Sequence, residues 1–559
     1  MALVNSFTYW KNKGNYADVL AAVGLAQLIY HLTGEYPKIE DRHSFFYITL
    51  PNQIDLEKLP YHILLDDPGY EAMDNQKYEK IKEQAKAYRE KSKNISNLTE
   101  EERQHLEQEK PRDDWSLFQN LKIIQALNTY NKLHENIRNA DKEKFIAYLK
   151  HKLKAYSIGE LSESGGIKYS LSVSAVQAFN PSIGKGVNRT KPDGAAISSF
   201  PKSMVDWFQE YLRFLGIASS FHSYLIDKDI KFIAVSPGKI PFDILSTKIM
   251  HDFRSKNIGW TTIKVDVMAV LTLALILLDY LDIVKNHKVN QILNGIQIAN
   301  FKDMGQVKAL MNQSFIRLPG WFPINSNDDA DDMRLIIKEH MDCLRYLDEK
   351  KSEEAQLLQL YRDGLSGDDL GKIIKFLAGY GIHRMRKLNT DKNRKNYVPA
   401  ITEDKLRRLV MKSYPAYSEI IRNTGFQNIA KAVRNATINE QIAKSKGRNN
   451  YKIHYELFQQ IKQNATFPDK FLGKLLEFIN EYNKETARKI EQKDKDKNTI
   501  FRPLVSTQDI DDFIKLFDKY RQQSETIAML LIAYASSKTI RSDGTGNSTN
   551  SKEEIIIEE

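Results

Sequence analysis

The sequence predicts an α+β protein: a mixed α/β N-terminal part followed by an all-α C-terminal helical bundle. Three observations predict it. The runs with strand character all lie before residue 330. From about Asp331 onward the apolar residues recur at helical spacing almost without interruption. Cys343 is the single cysteine in 559 residues, so no disulfide framework or multi-cysteine zinc or iron–sulfur site holds the fold together. A chain of this length predicts about three to five units and can bury cores without such staples.

The elements follow in order. Asn15 can cap a helix over Tyr16–Leu32, and Gly34 can end it. That helix is apolar nearly all round (Val19, Leu20, Val23, Leu25, Leu28, Ile29), as a buried helix is. Phe45–Leu50 reads as a strand. Gln76–Asp114 is charged and poor in apolar residues, either an exposed helix or a flexible insertion. Trp115–Leu153 returns to helical spacing (Leu117, Leu121, Ile124, Leu127).

Ile167, Tyr169, Leu171 and Val173 alternate with Lys168, Ser170, Ser172 and Ser174, the period of a half-buried strand. Pro201 suits the first turn of a helix through Met204, Trp207, Phe208, Tyr211 and Leu215, with Gly216 as its C-cap. Ile230–Val235 reads as a buried strand stopped by Pro237-Gly238. Val267–Leu278 is apolar for twelve residues between Asp266 and Asp279. A membrane span needs about twenty, so a core helix is expected. Met1–Gly14 lacks the pattern of a secretion signal. With one cysteine, the reducing cytoplasm is the expected compartment.

Further helices are expected around Leu335–Leu347, over Leu370–Tyr380 closed by Gly381, and near Phe426–Ile438, Tyr451–Ile461, Phe471–Tyr482, Ile510–Tyr520 and Ile527–Ala535. Ser506 and Asp509 offer a capping box. The expected organisation is a mixed α/β domain over 1–330 with its charged insertion at about 76–114, a helical connecting region over 331–410, a helical bundle over 411–540 and a disordered tail over 541–559.

Charge is unevenly spread. The chain carries 82 Lys+Arg against 72 Asp+Glu, a net +10. His383–Lys412 holds ten basic and three acidic residues, and Ala430–Lys452 holds six and one. With the neutral stretch between them, His383–Lys452 carries +12, and the remainder sums to −2. Concentrated excess of this kind is the footprint of a polyanion binder, although a solvated face or basic linker would share the composition. The candidate backbone contacts are Arg384, Arg386, Lys387, Arg394, Lys395, Arg407, Arg408, Lys431, Arg434, Lys444, Lys446 and Arg448.

Catalytic motifs fail on spacing. Gly184-Lys185-Gly186 lacks the upstream glycine of a phosphate loop, where Phe179 stands, and the Ser or Thr after the lysine. His251-Asp252 lacks further metal ligands. His340 and Cys343 are only two ligands, so core packing is expected of both. Asp328, Asp329, Asp331 and Asp332 break the EF-hand pattern at Ala330 and Ile336 and suit a helix start instead. No enzyme, cofactor or metal site is therefore expected.

The segment Phe179–Lys191 follows the alternating run directly. Its glycines allow close backbone approach, and its three cations lie beside the amides of Gln177, Asn180 and Asn188. Amides can bond to base edges as well as to phosphates. An ordinary surface loop could carry the same residues.

Gln177–Lys191 resembles the loop of large subunits of type I CRISPR Cascade complexes, near the type I-B branch. Gly425–Thr437 is similar to the start of that family's helical bundle, which in shape resembles the separate Cascade small subunit. The single cysteine excludes the cysteine-bound zinc that some type I-B members hold. The resemblance implies a non-catalytic DNA-binding subunit of a ribonucleoprotein complex for antiviral defense. In it the guide RNA reads the target by pairing, while protein reads the flanking PAM, helps open the duplex and supports the R-loop. Carried over, Gln177, Asn180, Lys185, Asn188, Arg189 and Lys191 become the PAM/DNA-binding candidates. The implied partners are guide RNA, target double-stranded DNA, the backbone and small Cascade subunits, and a helicase-nuclease or, if transposon-borne, transposition proteins; no membrane is involved. Met411 lies where an internal start would release the bundle alone. A stand-alone basic nucleic-acid-binding scaffold without guide RNA is the alternative.

Overall fold

The computed structural model describes residues 3–93, 99–124, 126–160, 167–173, 176, 179, 206–226, 229–256, 262–303, 308–390, 398–445, 447, 451–492 and 501–539. Two compact units account for the chain: Met1–Thr262 with Thr272–Leu318, and Ile263–Leu271 with Pro319–Glu559. The division thus falls at Leu318, not at 330, and the regions expected separately as 331–410 and 411–540 lie in one unit.

All named strands belong to the first unit. They are β1 (Leu3–Trp10), β2 (Lys38–Asp41), β3 (Phe45–Asp55), β4 (Phe221–Ile226), β5 (Asp229–Pro237), β6 (Lys239–Pro241), β7 (Leu293–Asp303) and β8 (Lys308–Arg317). One antiparallel sheet has the order β1-β3-β2-β6 and the other β4-β5-β7-β8. β5 is buried from Ile230 to Pro237, as its apolar run Phe232–Val235 favours, and the burial includes Lys231 and Ser236.

Helix Tyr16–Thr33 is built as its local signals predict. The Asn15 side chain accepts from the Ala17 N–H, and Gly34 ends the helix in the left-handed region at φ 73°. It crosses helix Trp207–Ser220 closely. A Cβ on Gly24 would run into the Leu212 carbonyl, and one on Gly216 into the Leu20 carbonyl. Gly216 is therefore a packing glycine inside a helix that continues to Ser220, and not the expected C-cap. Helix Thr262–Leu278 is buried along Val265–Ala269 and Val270–Leu278 apart from Thr272 and Leu275, so its apolar run serves the interior. Among the described residues, no helix is long and apolar enough to cross a membrane.

Two further expectations change. Residues 167–173 form no strand. Side chains take up that segment's carbonyls instead: Asn136 Nδ2 donates to Ser172 O, and Trp207 Nε1 donates to Tyr169 O at 2.9 Å. The charged 76–114 excursion is largely helical, as Asn75–Ser92 and Glu100–Gln108, the latter opened by a Thr99–Glu102 capping box.

The second unit is helical. Helix Asn327–Tyr346 starts from a Ser326–Asp329 capping box, and helix Thr507–Lys519 from the expected Ser506–Asp509 box. Helix Leu370–Thr390 does not stop at Gly381. That glycine sits where a Cβ would strike the Ser536 side chain, so it lets helix Ser524–Ser536 pack close. Helix Thr424–Arg434 passes into a π-turn over Asn435–Asn439, whose freed Ala436 carbonyl accepts from the His454 N–H at 2.9 Å. One helical core containing 331–410 and 411–540 explains why the chain has fewer units than its length suggests.

Candidate nucleic-acid interface

Of the predicted recognition segment 177–191, only Phe179 is among the described residues. Phe179 is fully buried, with ring contacts to Phe214, Phe221 and Phe232. Gln177, Asn180, Lys185, Asn188, Arg189 and Lys191 lie outside the described residues, as do Arg394, Lys395, Lys446 and Arg448.

The rest of the basic stretch divides by what each cation touches. Arg384 and Arg434 are buried, at 4% and 8% exposure, and leave the set of phosphate contacts. Arg384 Nη1 donates to Ser536 O at 2.9 Å. Arg434 donates to Tyr534 O and Ser537 Oγ and pairs with Glu403 at 2.7 Å. Both guanidiniums thus meet carbonyls that a helix C-terminus leaves without intrahelical donors. Arg386 pairs with Glu353 at 2.7 Å and Lys387 with Glu354 at 3.1 Å. Lys431 is half-buried, and Lys444 donates to the Tyr455 hydroxyl at 2.9 Å.

Helix Glu403–Ser413 faces the acidic cluster. Asp332 receives Arg408 through both oxygens at 2.9 Å, Lys405 at 3.2 Å and Lys412 at 2.9 Å. Lys412 also reaches Asp329 at 2.6 Å, and Asp404 holds Arg407 and Arg408. Burial alone would raise the Asp332 carboxyl. Hydrogen bonds from Lys412, Arg408 and Lys405 outweigh it and hold the group at about 2. The Asp328–Asp332 run therefore does more than start a helix: it neutralises cations some 75 residues further along the chain.

A groove of about 520 Å³ lies between helices Pro415–Arg422 and Thr507–Lys519. Glu419 on its wall is taken by Lys519 at 2.6 Å, and Asp512 accepts from Gln508 at 2.8 Å. Arg422 and Lys515 line the same groove, are exposed and carry no ion pair among the described residues. At the start of the first helix Tyr414 is 47% exposed and stacks on Tyr417, with ring centroids 4.7 Å apart and an interplanar angle of 18°. Tyr414 falls within the basic stretch His383–Lys452, and the local signal for its turn is Pro415, which opens the helix that carries Ser418 and Arg422 on one face.

The remaining motifs have ordinary partners. His251 Nδ1 lies 3.1 Å from Asp113, and Asp252 accepts from the Tyr280 hydroxyl at 3.2 Å. His340 is fully buried against the Tyr361 hydroxyl at 2.9 Å, and burial lowers its pKa to about 3. Burial pushes the Cys343 thiol up to about 12. Among the described residues, no group of three or more His, Cys, Asp or Glu is placed to hold a metal. No protein-family model matches the chain, and no curated protein matches it either.

Proposed function

We propose that this chain is the non-catalytic large subunit of an RNA-guided Cascade complex, reading a flanking motif with the segment 177–191 and supporting opened DNA with its helical unit. The observation that carries the nucleic-acid part is the distribution of charge. After the acidic cluster and Asp404 have taken up the cations of helix Glu403–Ser413, residues 414–540 still hold 21 Lys and Arg against 15 Asp and Glu. Among the described residues, Arg422 and Lys515 stand exposed without an ion pair, on the helix that follows the exposed ring of Tyr414 and on its groove partner. Cations and aromatic faces together are the equipment of single-strand binding. The guide-dependent part rests on the resemblance of Gln177–Lys191 and Gly425–Thr437 to the family's loop and bundle.

Expression with the neighbouring genes of its locus tests the reading. A guide RNA of discrete length should copurify, and binding should require a short motif beside the matched target. RNA of heterogeneous length would support the stand-alone scaffold instead.

A further inference from the structure

We infer that the groove between helices Pro415–Arg422 and Thr507–Lys519 is a subsite for an unpaired polynucleotide strand, with a base on the Tyr414–Tyr417 stack and adjoining phosphates on Arg422 and Lys515. The inference rests on the nucleic-acid reading above, but not on a guide RNA or a flanking motif.

The geometry makes a strand the fitting occupant. Pro415 starts the helix, and the Tyr417 N–H bonds to the Tyr414 carbonyl at 2.9 Å, which fixes the turn that presents both rings. The stack is already formed, so a base adds to an ordered platform. Tyr414 stands just before the helix, and Ser418 and Arg422 follow one turn apart within it. The helix axis rises about 10 Å from Pro415 to Arg422, a reach suited to neighbouring nucleotides.

Charge selects within the groove. Lys519 and Glu419 satisfy each other, and Asp512 has the Gln508 amide. Arg422 and Lys515 are left for an anion. A duplex buries its base faces in its own stack, so an exposed aromatic platform is of use chiefly to an unpaired base.

The test uses the full chain with a fluorescent oligo-dT strand, the matching duplex, and a strand carrying 5-bromodeoxyuridine. Photocrosslinking should place the brominated base on Tyr414 or Tyr417 by mass spectrometry. Tyr414→Ala should weaken strand binding by roughly fivefold or more, and Tyr414→Phe should restore it. Arg422→Ala and Lys515→Ala should each flatten the log–log salt dependence by about 0.7. Wild-type affinity in Tyr414→Ala, crosslinks confined to other surfaces, or tighter binding of the duplex with the same variant sensitivity would each overturn the inference. If only heterogeneous RNA copurifies, the Cascade reading fails, while these strand measurements still decide the groove.

Discussion

Arg384 Nη1 donates to the main-chain carbonyl of Ser536 at 2.9 Å, joining two residues 152 positions apart. The guanidinium lies between helix Leu370–Thr390 and the end of helix Ser524–Ser536, and Arg434 reaches the same end through the Tyr534 and Ala535 carbonyls. Two arginines from the most basic part of the chain thus close its last described helix.

Their removal is expected to act on folding rather than on nucleic-acid affinity. Arg384→Ala or Arg434→Ala leaves buried carbonyls without donors and should cost roughly 2–3 kcal/mol. The urea midpoint should fall, while oligonucleotide affinity per folded molecule stays at the wild-type value. Equal stability with weakened binding would return both residues to the contact surface.

The same contacts bear on where an independent bundle can begin. A product starting at Met411 loses helix Leu370–Thr390, the Arg384 bond and the Thr402–Lys538 bridge. Residues 411–559 alone should therefore show a broad, weakly cooperative melt. Cooperative unfolding of that fragment, measured by circular dichroism, would show that the bundle closes without its upstream helix.

Asp332 makes stability depend on acid. Its carboxyl sits at about 2 in the folded chain against about 3.9 for an exposed aspartate. A depressed carboxyl contributes stability above the unfolded value and loses it as pH falls toward the folded one. The contribution, roughly 2 kcal/mol, should be complete above about pH 5 and disappear progressively toward pH 2. Urea titrations of wild type and Asp332→Asn should differ most near neutrality and converge in acid. Parallel curves across that window would remove Asp332 as the source.

Gly24 and Gly216 set the distance between helices Tyr16–Thr33 and Trp207–Ser220. Alanine at either position forces the helix backbones apart and should destabilise the first unit by roughly 1–3 kcal/mol, despite its better helix propensity. A thermal melt unchanged in Gly216→Ala would show that the pair can separate without loss.

The recognition reading is tested in the loop. Asn180→Ala or Asn188→Ala should narrow the difference in affinity between targets with and without the flanking motif, by up to about tenfold for one lost base-edge contact. Replacing Arg394 and Lys395 together should weaken binding for all sequences and lower its salt dependence. Loop variants that discriminate as wild type does would move motif reading to another surface.

Elements with local signals were legible in the sequence. The Asn15 cap, the Gly34 stop, the Ser506–Asp509 box and the apolar run Phe232–Val235 of β5 each express preferences that act within a few residues. The helical character after Asp331 was legible for the same reason. The alternation at 167–173 was not enough for a strand, because a strand also needs a hydrogen-bonded neighbour, and here side chains supply the bonds.

Tertiary structure alone decided what Gly216 and Gly381 do and which charges remain outward. A glycine near a helix end has the composition of a stop signal; only an approaching second helix turns it into a packing surface. A count of charge along the chain registers His383–Lys452 as one basic block. In space, Asp329, Asp332, Glu353 and Glu354 take up five of its cations, because ion pairing falls off with distance through space and takes no account of separation in sequence. Lys515, far outside that block, lines one groove with Arg422 because two helices bring them together, and neither has an ion pair among the described residues.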